Sequence, residues 1–273
     1  MKAPHNGLAS ARLEPVGFEP DLFENLYDVE DHLFWSVTRN RMIATLLRQI
    51  TAHLSNGHHV LEVGCGTGNV LRALKGACPE GVVVGMDLFL EGLRYARRRT
   101  SCPLVQGDIC HLPFRPGFDV VGIFDVLEHI PDDVQALFDL RHLLSANGRL
   151  ILTVPAHQKL WSYYDEAMQH CRGYELTDLR HKLESTGYSV EYLSYFMLGT
   201  LPLVWLGRRL APLMRRRPAA GTDRACELTK GELRVAPGAN FLLKLLLVPE
   251  LHLVAHRRSI PTGSSLVAIC HKA

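Results

Sequence analysis

No two of the seven cysteines stand in a CxxC spacing, and their number is odd. The pattern reads as reduced thiols, not a disulfide framework or a zinc ribbon. No stretch reaches about 18 uninterrupted apolar residues, so a spanning helix is not expected. The nearest approaches are 196–207, broken by Pro202, and 241–254, broken by Lys244 and Pro249. The opening residues MKAPHNGLASARLEP lack the apolar core of an export signal, and the expected location is cytoplasmic. His252 and His256 share a helical i, i+4 spacing but lack the glutamate of HExxH, and no metal is expected. Global charge is also missing, with 30 basic against 28 acidic residues. Without a broad basic face or an NPPY-like base-flipping motif, nucleic acid is excluded as a partner. The one local imbalance lies between Phe196 and Arg217, which hold five arginines and no carboxylate.

What the chain does have is ordinary globular content, 47% hydrophobic and 21% charged over 273 residues. That suffices for a full core without staples. Residues 1–20 read as a flexible leader and 21–57 as two helices with apolar residues at helical spacing. From His58 short apolar runs alternate with amphipathic stretches. The runs are 58–63, 82–87, 103–108, 119–126 and 149–154; the helical stretches are 69–77, 90–99, 132–144 and 175–187. Asn147-Gly148 and Gly187 are expected to cap the last two helices. Two more strand candidates lie at 189–196 and 264–270. Strands apolar on both faces, each followed by a helix, predict a doubly wound, mostly parallel αβα sandwich of the Rossmann-like class. The expected division is a core at 58–196 and 263–273, interrupted by an apolar and basic helical insertion at 197–262.

The densest signal is VLEVGCGTGNV at 60–70. A buried strand ends at Val63, and glycines 64, 66 and 68 turn the chain into a helix near Asn69. Such a loop brings backbone close to a ligand and aims the first helical amides at a negative group. Asn69 stands where the dinucleotide fingerprint GxGxxG needs its last glycine, and no GK[ST] follows. Asp87 ends the next strand, where a carboxylate reaches ribose hydroxyls. Asp108 follows the third, where it can accept from an adenine amine. Together these describe a nucleoside with a short charged tail in place of a pyrophosphate.

The series EVGCGTG, GMD, GDI and FDVV…DVLEHIPD (118–133) resembles class I S-adenosylmethionine-dependent methyltransferases, and more narrowly the bacterial group similar to ubiquinone-biosynthesis methyltransferases. The resemblance implies a seven-stranded sheet in the order 3-2-1-4-5-7-6 with the last strand antiparallel. It also implies S-adenosylmethionine as cofactor. Glu62 and the loop Gly64, Cys65, Gly66 and Gly68 would hold its methionine part. Asp87 with Leu88 would take the ribose, and Asp108 with Ile109 the adenine. Asp125 would line the methyl end. After the fifth strand, Trp161, Asp165, His170, Arg172 and Tyr174 match a subgroup pattern, with Tyr164 where a second histidine often stands and Gly173 in place of an arginine. His129, His170 and Asp165 are the catalytic candidates; Trp161, Tyr164, Arg172 and Tyr174 are the acceptor-binding ones. Tyr27, Glu30, His32, Trp35 and Arg39 resemble the subgroup's N-terminal stretch, which would close as a lid.

The expected reaction moves a methyl group to a small, hydrophobic or lipid-linked acceptor, most simply at oxygen. The insertion would roof the acceptor site or touch a membrane from the cytoplasmic side. Two rivals remain: a nucleotide-dependent oxidoreductase or epimerase, and a non-catalytic cofactor-binding module at a membrane.

Overall fold

A computed structural model of the protein describes residues 20–162, 165–166, 168–203, 205–206 and 235–273. Seven strands form one sheet: β1 (His59–Val63), β2 (Val82–Asp87), β3 (Leu104–Gln106), β4 (Phe118–Phe124), β5 (Leu144–Pro155), β6 (Tyr188–Phe196) and β7 (Ser265–Lys272). Their order is β3-β2-β1-β4-β5-β7-β6. Pairing is parallel from β3 to β5, and β7 runs antiparallel to both β5 and β6. This is the expected order. It reverses between β1 and β4, so the two halves of the sheet diverge there and open a crevice beyond the strands' carboxyl ends.

Eight helices carry labels below: α1 (Pro20–Val29), α2 (Phe34–Thr51), α3 (Asn69–Ala77), α4 (Leu90–Arg99), α5 (Asp133–Leu143), α6 (Leu176–Ser185), α7 (Pro237–Leu246) and α8 (Val248–Ala255). Alternate strand residues feed opposite faces. Val60 of β1 packs with Ile43, Leu46, Leu47, Leu71 and Leu74 of α2 and α3. Its neighbour Leu61 packs on the other face with Leu137 and Leu140 of α5 and Leu179 and Leu183 of α6. Leu61 is fully buried. Truncating it to alanine would cost about 2–5 kcal/mol. Since α2 supplies this much core, most of the N-terminal helical region is part of the sandwich. α1 packs on α4, with the Tyr27 and Tyr95 rings 5.0 Å apart, and Arg39 near the start of α2 reaches Asp125 past the end of β4.

One expected cap is replaced. α5 ends at Leu143, and the chain enters β5 directly at Leu144 (φ −70°, ψ 139°), with a register irregularity on the paired β4. Gly148 therefore lies inside β5, where a Cβ would stand 2.8 Å from the Phe118 carbonyl oxygen. Gly187 does follow α6 in the left-handed region, at φ 85°.

The described part of the insertion leans on the rest of the chain. Asn240 of α7 accepts from the Phe34 amide (2.7 Å) and donates to the His32 carbonyl (2.7 Å), fastening α7 to the start of α2. Glu250 of α8 accepts from the amides of Leu198 (2.9 Å) and Gly199 (2.7 Å), joining the two apolar pieces of the insertion. Leu247 and Val254 are buried in the core, whereas Phe241, Leu242 and Leu245 are 59%, 65% and 52% exposed. Despite Lys244 and Pro249, Pro237–Ala255 makes a 19-residue helical stretch long and apolar enough to cross a bilayer by length and composition. That differs from the expectation, because the helix runs on where the apolar sequence is interrupted. The arginines at 208, 209 and 215–217 lie outside the described residues.

Candidate active site at the crevice between β1 and β4

The glycine loop leaves β1 at Val63 and starts α3 at Asn69. Gly68 sits at φ 77°, and a Cβ there would meet the Ala96 Cα of α4 at 2.9 Å. Loop and α4 can approach this closely only with glycine. Gly66, at φ 48°, has nothing within 4 Å of a built Cβ, so its backbone faces open space.

Two carboxylates flank this loop. Asp87, at the end of β2, is 6% exposed. Its Oδ2 accepts from the Gly66 amide (2.7 Å) and its Oδ1 from the Phe89 amide (2.9 Å). Burial raises its pKa, against these backbone donors that favour the charged form. The Leu88 amide also donates to Asp87, and of a carboxylate's roughly four acceptor positions one remains for an outside donor. Glu62 is 1% exposed, and its Oε2 has no hydrogen-bond partner. Burial pushes its pKa well up, with nearby Arg39 opposing and Asp87 and Glu30 adding to the rise. A buried acceptor without a donor is costly unless a ligand supplies one. Cys65 is buried and its thiol is pushed well up by burial, which makes it inert as a nucleophile. Leu88 is 40% exposed beside Asp87. Asp108 lies two residues beyond β3, its Oδ1 accepting from the Cys110 amide (2.9 Å), and Ile109 is buried.

The N-terminal helices reach over this loop. Glu30 accepts from Arg99 (2.7 Å) and from the Thr67 hydroxyl, and Asp31 accepts from Asn69 (2.8 Å) and Arg72 (2.7 Å). The Arg99 guanidinium lies 4.2 Å over the Tyr27 ring. Arg39, stacked 4.3 Å over Trp35, forms a buried ion pair with Asp125 at 2.6 Å. Asp125, just past β4, is in the left-handed region at φ 54°.

A second group gathers after β4 and β5. Leu127–His129 form a single 3₁₀ turn, and Glu128 and His129 lie with His170 in one cluster whose ligand-type atoms are all within 4.8 Å of one another. The two imidazoles meet edge to face, centroids 4.7 Å apart. Asp165 holds His170 Nδ1 at 3.1 Å, and its other oxygen accepts from the amide (2.9 Å) and hydroxyl (3.1 Å) of Ser162. Glu128 is 1% exposed and its Oε2 has no hydrogen-bond partner. Burial raises its pKa well above the ordinary value, and the Asp125 charge adds to the rise. Burial and the neighbouring His170 lower His129 to about 3. His129 is therefore neutral at physiological pH and too weakly basic to serve well as a proton acceptor there.

Sequence reasoning named His129, His170 and Asp165, and they stand together. It missed Glu128, though a lone carboxylate in the apolar turn Val126-Leu127-Glu128-His129-Ile130 was a visible signal. Two expected acceptor contacts are corrected. Tyr174 is fully buried with its hydroxyl on Asp133 Oδ2 (2.8 Å), and Arg172 pairs with Asp133 Oδ1 (2.8 Å) and donates to the Pro131 carbonyl (2.6 Å). Both fasten the chain after β5 to the start of α5, because Asp133 offers a buried charge that must be paired. Trp161 is half-buried, and Tyr164 lies outside the described residues. Nearby, a cleft of about 320 Å³ is lined by His157, Lys159, Leu160, Leu201, Pro202 and Trp205.

Residues 61–152 match the family described as Methyltransferase domain. A 116-residue segment is 38% identical to an uncharacterized 37.1 kDa protein in a transposon of Streptomyces fradiae, covering 40% of this chain and 34% of that one. Over 159 residues the chain is 29% identical to the demethylmenaquinone methyltransferase of Lactiplantibacillus plantarum, covering 53% of this chain and 63% of that enzyme. The chain thus spans less than two thirds of the length of either relative. The fold matches an S-adenosylmethionine-dependent methyltransferase from Clostridium acetobutylicum with a TM-score of 0.53 at 12% identity, over 86% of this chain and 92% of that one.

The sheet order is that of the Rossmann-like class, and residues 61–152 within it match the Methyltransferase domain. In sequence and in fold the chain resembles S-adenosylmethionine-dependent methyltransferases, a demethylmenaquinone methyltransferase among them. The residues fit that cofactor. The orphaned Glu62 oxygen suits its ammonium group, the open face of Gly66 leaves room for it, and the remaining acceptor position of Asp87 suits a ribose hydroxyl.

Proposed function

We propose that the whole protein transfers a methyl group from S-adenosylmethionine to a small hydrophobic acceptor of the quinone or quinol kind, at an oxygen. The buried Glu62 carboxylate, with one oxygen lacking any donor beside an open glycine loop, carries the cofactor half of this reading. The similarity to demethylmenaquinone methyltransferase supports the acceptor class.

S-adenosylmethionine supplies an activated methyl on a sulfonium. The protein's own work is then to align the acceptor, exclude water and manage one proton, and alignment alone can lower a barrier by roughly 7–11 kcal/mol. In this reading Glu62, Asp87 and the Gly64–Gly68 loop hold the cofactor, with Asp108 and Ile109 beside the adenine and Asp125 at the methyl end. Trp161 and the neighbouring apolar cleft take the acceptor ring. His170, oriented by Asp165, and the adjacent His129 and Glu128 face the acceptor oxygen.

The acceptor reaches the site from a membrane in this reading, with the exposed side of α7 and α8 resting on the bilayer's cytoplasmic face. Phe241, Leu242 and Leu245 offer an apolar surface that water does not favour, the composition of an interfacial helix. The test is incubation of the full chain with methyl-labelled S-adenosylmethionine and a panel of quinols, phenols and lipid extract. Mass spectrometry then locates the label. Formation of S-adenosylhomocysteine together with an O-methylated quinol is expected. Labelled carbon or nitrogen overturns the oxygen assignment, and no turnover with any acceptor overturns the reading itself.

A further inference from the structure

We propose that Asn240 is a positioning residue for the cofactor site: it caps α2 from within the insertion and so couples the seating of α7 to the affinity for S-adenosylmethionine. The first amides of a helix have no partner within it and are commonly met by a side-chain oxygen of the N-cap residue. At α2 that place is held by Leu33, which makes no such bond, and the first turn holds no acidic residue. The missing oxygen comes from a residue 206 positions away. Asn240 Oδ1 accepts from the Phe34 amide at 2.7 Å while its Nδ2 donates to the His32 carbonyl at 2.7 Å. One side chain thereby fixes both the first helical residue and the turn before it.

The segments on either side of this clasp give it a role. Before it, Glu30 holds Thr67 and Arg99, and Asp31 holds Asn69 and Arg72. After it, the Trp35 ring carries the Arg39 guanidinium at 4.3 Å, Arg39 pairs with Asp125 at 2.6 Å, and Asn40 donates to the Asn69 carbonyl at 3.3 Å. Residues 30–40 are thus a strap, fastened at both ends to the loop and the strand end proposed for the cofactor. Asn240 grips the middle of it, and the hydrogen bonds of its side chain go to the strap alone.

The other end of the coupling is lightly held. None of the residues of α7 is buried, and among the described residues its only side-chain hydrogen bonds to the rest of the chain are those of Asn240. Elements with few buried contacts open at little cost. When α7 shifts, the Phe34 amide loses its acceptor, the first turn of α2 frays, and Trp35 moves away from Arg39. Cofactor binding must then re-order that turn, and the lost cap reappears as lost affinity. Coupling between sites is reciprocal, so a bound cofactor should in turn hold α7 in place. Whatever engages the exposed side of α7 therefore acts on the cofactor site as well. The inference rests on the cofactor half of the reading above and is independent of the acceptor.

The experiment measures S-adenosylhomocysteine affinity by calorimetry and amide hydrogen exchange by mass spectrometry, both on the full chain. Asn240→Leu keeps the volume and removes both polar atoms. It should weaken affinity by about 3–30-fold, the worth of one helix cap, and speed exchange over residues 34–39 without ligand. Asn240→Asp keeps the capping oxygen and should recover most of that loss. Gln49→Leu cuts another bond between α2 and the insertion, from Gln49 Nε2 to the Ala255 carbonyl at 2.7 Å, near the opposite end of α2. It should bind within about twofold of wild type. Saturating ligand should slow exchange in α7 of the wild type and leave it unchanged in Asn240→Leu, a response that a purely structural cap does not give. Equal affinity in wild type and Asn240→Leu, or an equal loss in Gln49→Leu, overturns the coupling. So does wild-type α7 exchange that ignores the ligand, a measurement that needs no variant to fold. A loss that Asn240→Asp leaves unrecovered overturns the capping role. Wild type that binds no S-adenosylhomocysteine overturns the cofactor reading instead. The cap is then judged in the ligand-free chain, where equal exchange of residues 34–39 in wild type and Asn240→Leu overturns it.

Discussion

The side of the crevice proposed for the cofactor, at the ends of β1 and β2, and the side proposed for the acceptor, beyond β4 and β5, are built by different means. On the first side the candidate groups belong to strand ends and to the backbone that holds them. The Gly66 amide, Asp87 and Glu62 are set by the register of β1 on β2. On the acceptor side the candidates sit on turns and a long connection, and charged partners decide where each one goes. Asp133 gathers Arg172, Lys182 and Tyr174 into one buried knot, while Asp165 turns His170 towards Glu128 and His129. The cofactor side would therefore keep its shape when the acceptor side is loosened.

The strongest challenge to that contrast is Asp133→Ala. The carboxylate is 4% exposed and answers three donors, so its loss should cost about 3–5 kcal/mol. Calorimetric melting should show a fall of about 10 °C, while affinity for S-adenosylhomocysteine should hold within threefold. A parallel loss of affinity would erase the division between the two sides.

Asp87→Ala is the reciprocal change. Losing the charged acceptor for the ribose and the anchor of the Gly66 amide should weaken S-adenosylhomocysteine by about 10–100-fold in calorimetric titration. The fold should survive, and unchanged affinity would remove the ribose assignment.

Acid sharpens the comparison further. Burial alone would raise the Asp133 pKa, but hydrogen bonds from Lys182, Tyr174 and Arg172 outweigh it and hold the pKa below its ordinary value. A depressed carboxylate stabilises the fold above its unfolded pKa of about 3.9 and stops doing so as pH falls through the lower folded value. Urea unfolding of wild type and Asp133→Asn should therefore differ at pH 7 and converge below about pH 4. A gap independent of pH would mean that the charge is not what binds the knot.

The smallest expected effect on stability belongs to the exposed helix. Leu242→Glu should change stability by less than about 0.5 kcal/mol. Association with anionic vesicles should nevertheless fall by about tenfold, the worth of one buried leucine. Unaltered sedimentation with vesicles would argue that α7 faces something other than lipid.

Most of the fold was legible in advance because its signals are local. Short runs apolar on both faces, helices at period 3.6 and the glycines at 64–68 sit where expected, and even the sheet order followed from the family resemblance. The misreadings share a cause. Asn147-Gly148 looks like a helix cap, yet the pairing of Leu144 with Phe118 pulls that segment into β5. Arg172 and Tyr174 look like ligand contacts, but a buried aspartate 39 and 41 residues earlier claims both. Glu128 was overlooked although it is the lone carboxylate of an apolar turn, because only the packing of distant segments buries that turn.

The sequence alone thus determined the strand–loop–helix units and the carboxylates at their ends, since each depends on neighbours within a few residues. Only the tertiary structure decided which charges pair, which histidines converge and which helical face meets water. Those outcomes depend on groups brought together from distant parts of the chain, where one buried charge takes whichever partner the packing delivers.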